Sequence, residues 1–384
     1  MNRAFAGLRV IDFTTTIAGP HCTRLLADLG ADVVKIEAPE GDVMRSRPPL
    51  RNGVSSYFGQ LNAGKRSVVL DLKDSRAVAA ARRLAEQTDI LVENYRPGVM
   101  QRLGLDFAVL GHSNPRLIYC SISGYGQTGP SSDLPAYAPV IHATSGYDLA
   151  HLAYQRGRSQ PDNCGIYVAD VITGTYAFGA IATALHQRQT LGRAQHIDVS
   201  MLESMLSLTL TELQSAQFEV PPPPSRPIFG PVATVDGYLN MAVVSERTFQ
   251  GLAAAAGRLD WISDPRFAVY LARRANWGEL MDEFEEWSRH RSTPDCLAVL
   301  DRHAVPAAAY RTVREAMTDP QLSHREAFAV VTDAGGEFRV LNPPFRMSAT
   351  TAVAGARAPA LGEHTRAVLT AVGFDGAEIE ALTE

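Results

Sequence analysis

The stretch from residue 163 to residue 188, NCGIYVADVITGTYAFGAIATALHQR, carries one carboxylate, Asp170, the only one between Asp162 and Asp198. Its neighbours are Ile, Tyr, Val, Ala, Phe and Gly, a composition suited to an interior. An ionised carboxylate taken out of water costs several kcal/mol unless something holds it. Two roles share one geometry. Asp170 immediately precedes a helix-forming run, so its side chain can cap that helix by accepting a first-turn N–H. The same helix N-terminus would keep the group ionised, and in a pocket it could then act as a base or nucleophile. Gly165, Gly174 and Gly179 surround it. Glycine is costly in such positions unless backbones approach closely, which a ligand or plain helix packing explains equally well.

Arg45, Lys65, Arg66, Lys73, Arg96 and Arg102 fall near the expected ends of strands, where cations suit an anionic ligand with several phosphates; a solvated surface is the alternative. Asn94 and Tyr95, closing ILVENY, would face the same crevice. The first strand-to-helix turn, DFTTTIAGPHC, has Gly19 but no GxGxxG, so NAD or FAD is weakly supported despite Glu37 ending the second strand. Pro20 can open the helix, whose free N–H groups could still receive a phosphate or carbonyl. GYGQTG spells the fingerprint, but Pro130 and a polar loop follow, which makes it a chance match. The ten histidines show no HExxH spacing, so no metal is expected, and there is no GxSxG elbow or P-loop.

These residues need a scaffold. LRVIDFT, ADVVKIE, RSVVLDLK, DILVENY and RLIYCSISGYG read as strands, alternating with helices in GPHCTRLLADLG, SRAVAAARRLAEQ and RPGVMQRLG. That alternation predicts an α/β fold, a doubly wound, Rossmann-like parallel sheet. GRAQHIDVS gives a turn and strand, and MLESMLSLTLTELQSAQF a further helix. The proline run at Pro221 marks a boundary. The expected division is a large domain over 1–218, a smaller α+β domain over 226–329, and a segment, 330–384, that returns to the large domain. Strands FAVVTD and EFRVL precede a last helix, where Asp375 and Glu378 have capping-box spacing.

A chain of 384 residues with 46% hydrophobic and 20% charged residues fits a soluble protein of about two domains. The net charge of −5 disfavours nucleic acid or an anionic membrane as partner. Cys22, Cys120, Cys164 and Cys296 lie far apart, with no CxxC. Reduced thiols and a cytoplasmic location are expected. The N-terminal stretch resembles no signal peptide, and the uncharged run from Val171 to Gln187 is shorter than a membrane span and reads as a buried helix.

The segments VIDFTTTIAGPHCTRLLADLGADVVKIEAPEGD, NAGKRSVVLDLK, ILVENYRPGVMQRLGL, SISGYGQTGP, GRAQHIDVSMLES and APALGEHT follow one another in an order that resembles class III CoA-transferases, the formyl-CoA transferase and carnitine dehydratase-like family. The resemblance covers residues 6 to 372. It implies that Asp170, followed by Gly174 and GRAQHIDVS, is a nucleophile that moves coenzyme A from an acyl-CoA to a carboxylic acid through a mixed anhydride and an aspartyl-CoA thioester. No resident cofactor is implied, since CoA is itself substrate. Its binding residues by resemblance are Ile17, Ala18, Leu70, Asp71, Leu72, Lys73, Asn94, Tyr95, Arg96, Arg102, Tyr137 and Met201. Ala38 stands where formyl-CoA transferase has an arginine, which leaves Arg45 or Arg47 for the nucleotide phosphates. The glycine-rich lid of that enzyme has no counterpart in SRPIFGPVATVDGY.

Related α-methylacyl-CoA racemases pair the aspartate with a histidine in an AGHD-like motif. Here the matching position reads PAYAP, with Tyr137, and a phenol is a poor base near neutral pH. His142, five residues on, is the remaining candidate for a racemase or isomerase. A non-catalytic acyl-CoA-binding protein is the alternative from another class. The resemblance also implies an interlocked, ring-like homodimer.

Overall fold

The computed structural model describes residues 3–155, 157–162, 164–218 and 226–383. The proline run Pro221–Pro224 lies outside the described residues. The chain divides into two compact units, one of Met1–Tyr147, Asn163–Leu210 and Pro320–Glu384, the other of Asp148–Asp162 and Thr211–Asp319.

The first unit is built on a six-stranded parallel sheet: β1 (Arg9–Asp12), β2 (Asp32–Glu37), β3 (Arg66–Val69), β4 (Ile90–Glu93), β5 (Ile118–Ser123) and β6 (Gln195–Ser200). Its order, β3-β2-β1-β4-β5-β6, reverses direction beside β1, the switch point at which doubly wound sheets open a crevice beyond their carboxyl ends. Both faces are covered, so the strands are runs of Val, Ile and Leu rather than alternating sequences. One face packs on α1 (Ala18–Asp28): Val10, Val33, Ile90 and Ile118 meet Cys22 and Leu26 of α1. The other face meets α3 (Ser75–Glu86) through Ala77, Ala80, Ala81 and Leu84.

The long helix α7 (Val168–Leu191) lies against α1 and buries Ala177, Ile181 and Ala184 in the same core. It is long and apolar enough by composition to cross a membrane, yet this inward face is packed on the sheet layer. The tail also joins this unit. The hairpin Phe328–Asp333 with Gly336–Leu341 precedes a segment in which Thr365 Oγ1 accepts the Val69 N–H at 3.0 Å. Asp375 and Glu378 do form the reciprocal cap on the last helix: Asp375 N donates to Glu378 Oε2 at 2.8 Å and Glu378 N to Asp375 Oδ1 at 2.9 Å.

The second unit has a three-stranded antiparallel sheet, Val232–Ala233, Tyr238–Met241 and Ala307–Ala309, and helices whose core is Phe249, Leu252, Trp261, Leu280 and Phe284. One expected helix is broken. MLESMLSLTLTELQSAQF folds as α8 (Met201–Leu206) and a separate helix, Leu210–Ser215, because Ser204, Ser207 and Thr209 each turn their hydroxyl back on a carbonyl three or four residues earlier.

Candidate active site

Beyond the carboxyl ends of β1, β4 and β5 lies a cavity of about 720 Å³. The turn after β1 contributes Thr15 to Ala18, the turn after β4 contributes Asn94 to Pro97, and β5 ends on it with Ile122 and Ser123. Asp170 and Tyr167 reach it from α7, Met201 from α8, and Tyr57 from α2 (Ser56–Asn62).

Asp170 is only 9% exposed. Helix α7 begins two residues earlier than the sequence suggests, at Val168, so Asp170 is its third residue and not its cap; Tyr167 occupies the cap position without a side-chain bond. The first-turn donor at Ala169 is satisfied instead by His142 Nε2, which accepts it at 3.1 Å. Burial raises the Asp170 carboxyl from its ordinary value of 3.8 to about 6, and the Ala18 N–H, bonded to the carboxylate, opposes that rise. The result is a carboxylate that is largely desolvated yet ionised near neutral pH. Such a group is a stronger nucleophile than a solvated one.

The turn that brings Ala18 to Asp170 is held from below. Asp12, wholly buried, accepts the Thr14 N–H at 2.9 Å and the Thr14 hydroxyl at 2.5 Å through Oδ1. Its Oδ2 accepts Thr23 Oγ1 at 2.7 Å and Lys65 Nζ at 2.9 Å. Burial alone would raise the Asp12 carboxyl, but the charges of Lys65 and Lys35 and the Thr14 hydroxyl outweigh it and hold it at about 2. Lys35 Nζ donates to Thr14 O at 2.6 Å and pairs with Asp42 at 3.0 Å. Above, Asn94 clasps Thr15 twice: its Oδ1 accepts Thr15 N, and its Nδ2 donates to Thr15 O, each at 2.9 Å. So clamped, Thr16 is kept at φ 70°, a left-handed conformation a threonine adopts only under constraint.

One wall is aromatic. Tyr57 and Tyr167 stack with centroids 6.5 Å apart and planes 27° from parallel. Burial raises the Tyr57 phenol above its ordinary range, and the charge of Asp170 adds to the rise. Two arginines, Arg47 and Arg96, also line the cavity.

Of the residues expected at the site, Ile17, Ala18, Asn94, Tyr95, Arg96, Tyr137, Asp170 and Met201 line this one cavity. The others lie outside its lining. Arg45 grips Glu37 through two bonds of 2.7 Å, donates to Pro359 O and lies over the Phe58 ring. Leu70 is core, while Asp71 turns to accept the Lys73 N–H at 3.0 Å, with Leu72 packed against the core beside them. Arg102 sits in the last turn of α4 (Val99–Leu103).

The scatter of cations is therefore partly structural: Lys65 is buried on Asp12, Arg66 pairs with Asp32, and Arg45 with Glu37. Glu37 is committed to Arg45 and Ser67 Oγ, so it is not free for a ribose. Pro20 is the third residue of α1, which starts at Ala18. Thr15, Tyr57 and Tyr167 escaped the sequence reading. Their role arises from turns and helices 40 to 150 residues apart in the chain, and no local period marks that.

A family model described as CoA-transferase family III matches residues 5–365, and the chain belongs to that family, whose members are enzymes that transfer coenzyme A. The chain is 33% identical over 380 residues to a succinate–glutarate CoA-transferase of Agrobacterium fabrum, covering 95% of this chain and 94% of that one. It is 32% identical over 393 residues to a formyl-CoA:oxalate CoA-transferase of Streptomyces avermitilis, covering 96% and 95%. The crystal structure of a CAIB/BAIF family protein from Brucella suis aligns with a TM-score of 0.84 at 31% identity, covering 97% of this chain and all of that one.

Proposed function

We propose that this protein moves coenzyme A from an acyl-CoA to a carboxylic acid through covalent intermediates on Asp170. The observation that carries the reading is the placement of a buried, ionisable Asp170 on the cavity wall, bonded to the Ala18 N–H, in a chain of this family. An oxygen of Asp170 attacks the thioester carbonyl, the C–S bond breaks, and CoA leaves as thiolate. The product is a mixed anhydride. The thiolate then attacks the Asp170 carbonyl and releases the donor's carboxylate, leaving an aspartyl-CoA thioester. The incoming acid repeats the two steps in reverse and restores the Asp170 carboxylate. No proton is gained or lost, so no acid or base is required.

During attack on the aspartyl carbonyl, negative charge grows on the oxygen available to the Ala18 N–H, a donor fixed before the reaction starts. Water would hydrolyse both intermediates, and the apolar surroundings of Asp170 keep it out. CoA would lie along the turns after β1 and β4, with Ile17, Ala18, Asn94, Tyr95, Arg96, Tyr137 and Met201. Both named relatives carry carboxylic acids in their names, in keeping with such an acceptor. Incubation with succinyl-CoA or acetyl-CoA and a mixture of carboxylic acids should yield new thioesters read by mass; hydrolysis alone would refute the reading.

An interlocked homodimer working in the cytoplasm completes the proposal. The apolar side chains of Val171 and Tyr176, exposed along α7, are in keeping with a protein partner. Light scattering on the purified protein tests the stoichiometry, a monomer at micromolar concentration counting against it.

A further inference from the structure

We infer that the acid accepted at this site is a dicarboxylate, and that Arg47 binds the carboxylate that does not react. The inference rests on the transfer reading above and adds the substrate class to it. Among the described residues the cavity lining holds three charged side chains, Arg47, Arg96 and Asp170. The neighbouring arginines are neutralised: Arg45 by Glu37, and Arg51 by Asp333 at 2.8 Å. Arg47 has no carboxylate partner among the described residues, and Arg96 has none either.

The two free guanidinium groups lie on different segments. Arg96 follows Asn94 and Tyr95 at the end of β4, on the path assigned to CoA. Arg47 ends the short helical turn Val43–Ser46, and its carbonyl accepts Ser55 Oγ at 2.6 Å, which ties it to the start of α2. Tyr57 follows there, stacked on Tyr167, the cap residue of the helix that carries Asp170. Arg47 therefore belongs to the nucleophile's side of the cavity.

A guanidinium held in a largely apolar cavity without a counter-ion favours an anion that can meet it in a planar, two-bond fork. The reacting carboxylate of an acceptor becomes part of an anhydride and loses its charge. A second carboxylate on the same molecule keeps its charge throughout and matches Arg47. A monocarboxylic acid of equal length leaves the guanidinium unpaired. CoA phosphates are the other anions within the substrate set, and the experiment separates the two.

The full-length protein is assayed with succinyl-CoA as donor and with glutarate or valerate as acceptor, acids of equal chain length. The wild type should favour glutarate in kcat/KM by about ten-fold or more, and Arg47→Gln should lower that ratio by about ten-fold. Arg47→Lys, which keeps the charge and loses the fork, should fall between them. Arg96→Gln should raise the KM for succinyl-CoA and leave the acceptor ratio in place. Equal use of both acids by the wild type overturns the inference, as does an unchanged ratio in Arg47→Gln. A raised succinyl-CoA KM with an unchanged ratio would assign Arg47 to phosphate and also overturns it. Failure of the wild type to make any new thioester strikes at the transfer reading instead.

Discussion

Gly174 of α7 rests against the carbonyl oxygen of Ala18: a Cβ built on the glycine would stand 2.4 Å from that oxygen and 3.1 Å from the His21 ring. The backbone carbonyl cannot yield as a flexible side chain would. This approach brings the N-terminus of α1 close enough for the Ala18 N–H to reach the carboxylate one helical turn before Gly174. Gly174→Ala should force the two helices apart, costing about 1–3 kcal/mol of stability. It should lower kcat more than it raises the KM for acyl-CoA. Thermal melts and initial rates on one preparation check both.

Removing the nucleophile should separate chemistry from binding. Asp170→Asn and Asp170→Ala should each lose transfer by at least about a thousand-fold while acyl-CoA still binds, measured by calorimetry. Retained turnover in either variant defeats the covalent route.

The raised Asp170 carboxyl sets the pH dependence of rate and of stability, with opposite signs. Transfer needs the ionised form, so kcat/KM should rise with pH through about 6 and level off above it. Glu93, pushed up to about 7 by burial, accepts the Tyr95 N–H outside the cavity lining, and the limb near pH 6 should persist in Glu93→Gln. His21 is lowered to about 4 by burial and by the charges of Arg24 and Lys65, so it stays neutral across this range. For stability, the unfolded chain ionises Asp170 near 3.8 and the folded one near 6. Folding thus loses free energy between those values, on the order of 3 kcal/mol once both forms are ionised. Asp170→Asn should accordingly melt higher than the wild type at pH 7.5 and show little gain at pH 4.

His142, 1% exposed, is a positioning group rather than a base. Its Nε2 accepts the Ala169 N–H, so the lone pair a racemase would use on an α-proton is occupied, and the nitrogen is not aimed at a substrate. Tyr137, 66% exposed on the cavity rim, offers only a phenol. We expect no deuterium at the α-carbon of a 2-methylacyl-CoA incubated with the enzyme in heavy water, read by mass spectrometry. His142→Ala should free the Ala169 N–H and cost about 1–3 kcal/mol.

The buried network under the first turn should be unforgiving. Lys65→Met removes the cation that meets Asp12 Oδ2, Pro20 O and Thr23 Oγ1. Breaking a buried pair from one side typically costs about 3–5 kcal/mol, and denaturant unfolding should register a loss of that order.

The parallel sheet was legible because its strands are buried on both faces and alternate with amphipathic helices, a signal carried by local composition. Asp170 was legible for a similar reason, being a lone charge in an apolar run. The role of the basic residues was not. Arg45 and Arg47 are two apart and chemically identical, and what separates them is Glu37, eight residues upstream of Arg45 and brought beside it only by the turn after β2. His142 was visible, but whether its nitrogen faced a substrate or a backbone N–H depended on where α7 begins. That start was misplaced by two residues because Tyr167 and Val168 carry no capping signal.

The most direct measurement is a search for the covalent intermediate. The enzyme is mixed with succinyl-CoA, quenched with acid, digested, and the peptide containing Asp170 weighed. A CoA adduct on Asp170 that forms with donor alone and disappears when glutarate is added is the expected result. Turnover with an unmodified Asp170 peptide, or with CoA attached to any other residue, would contradict the mechanism.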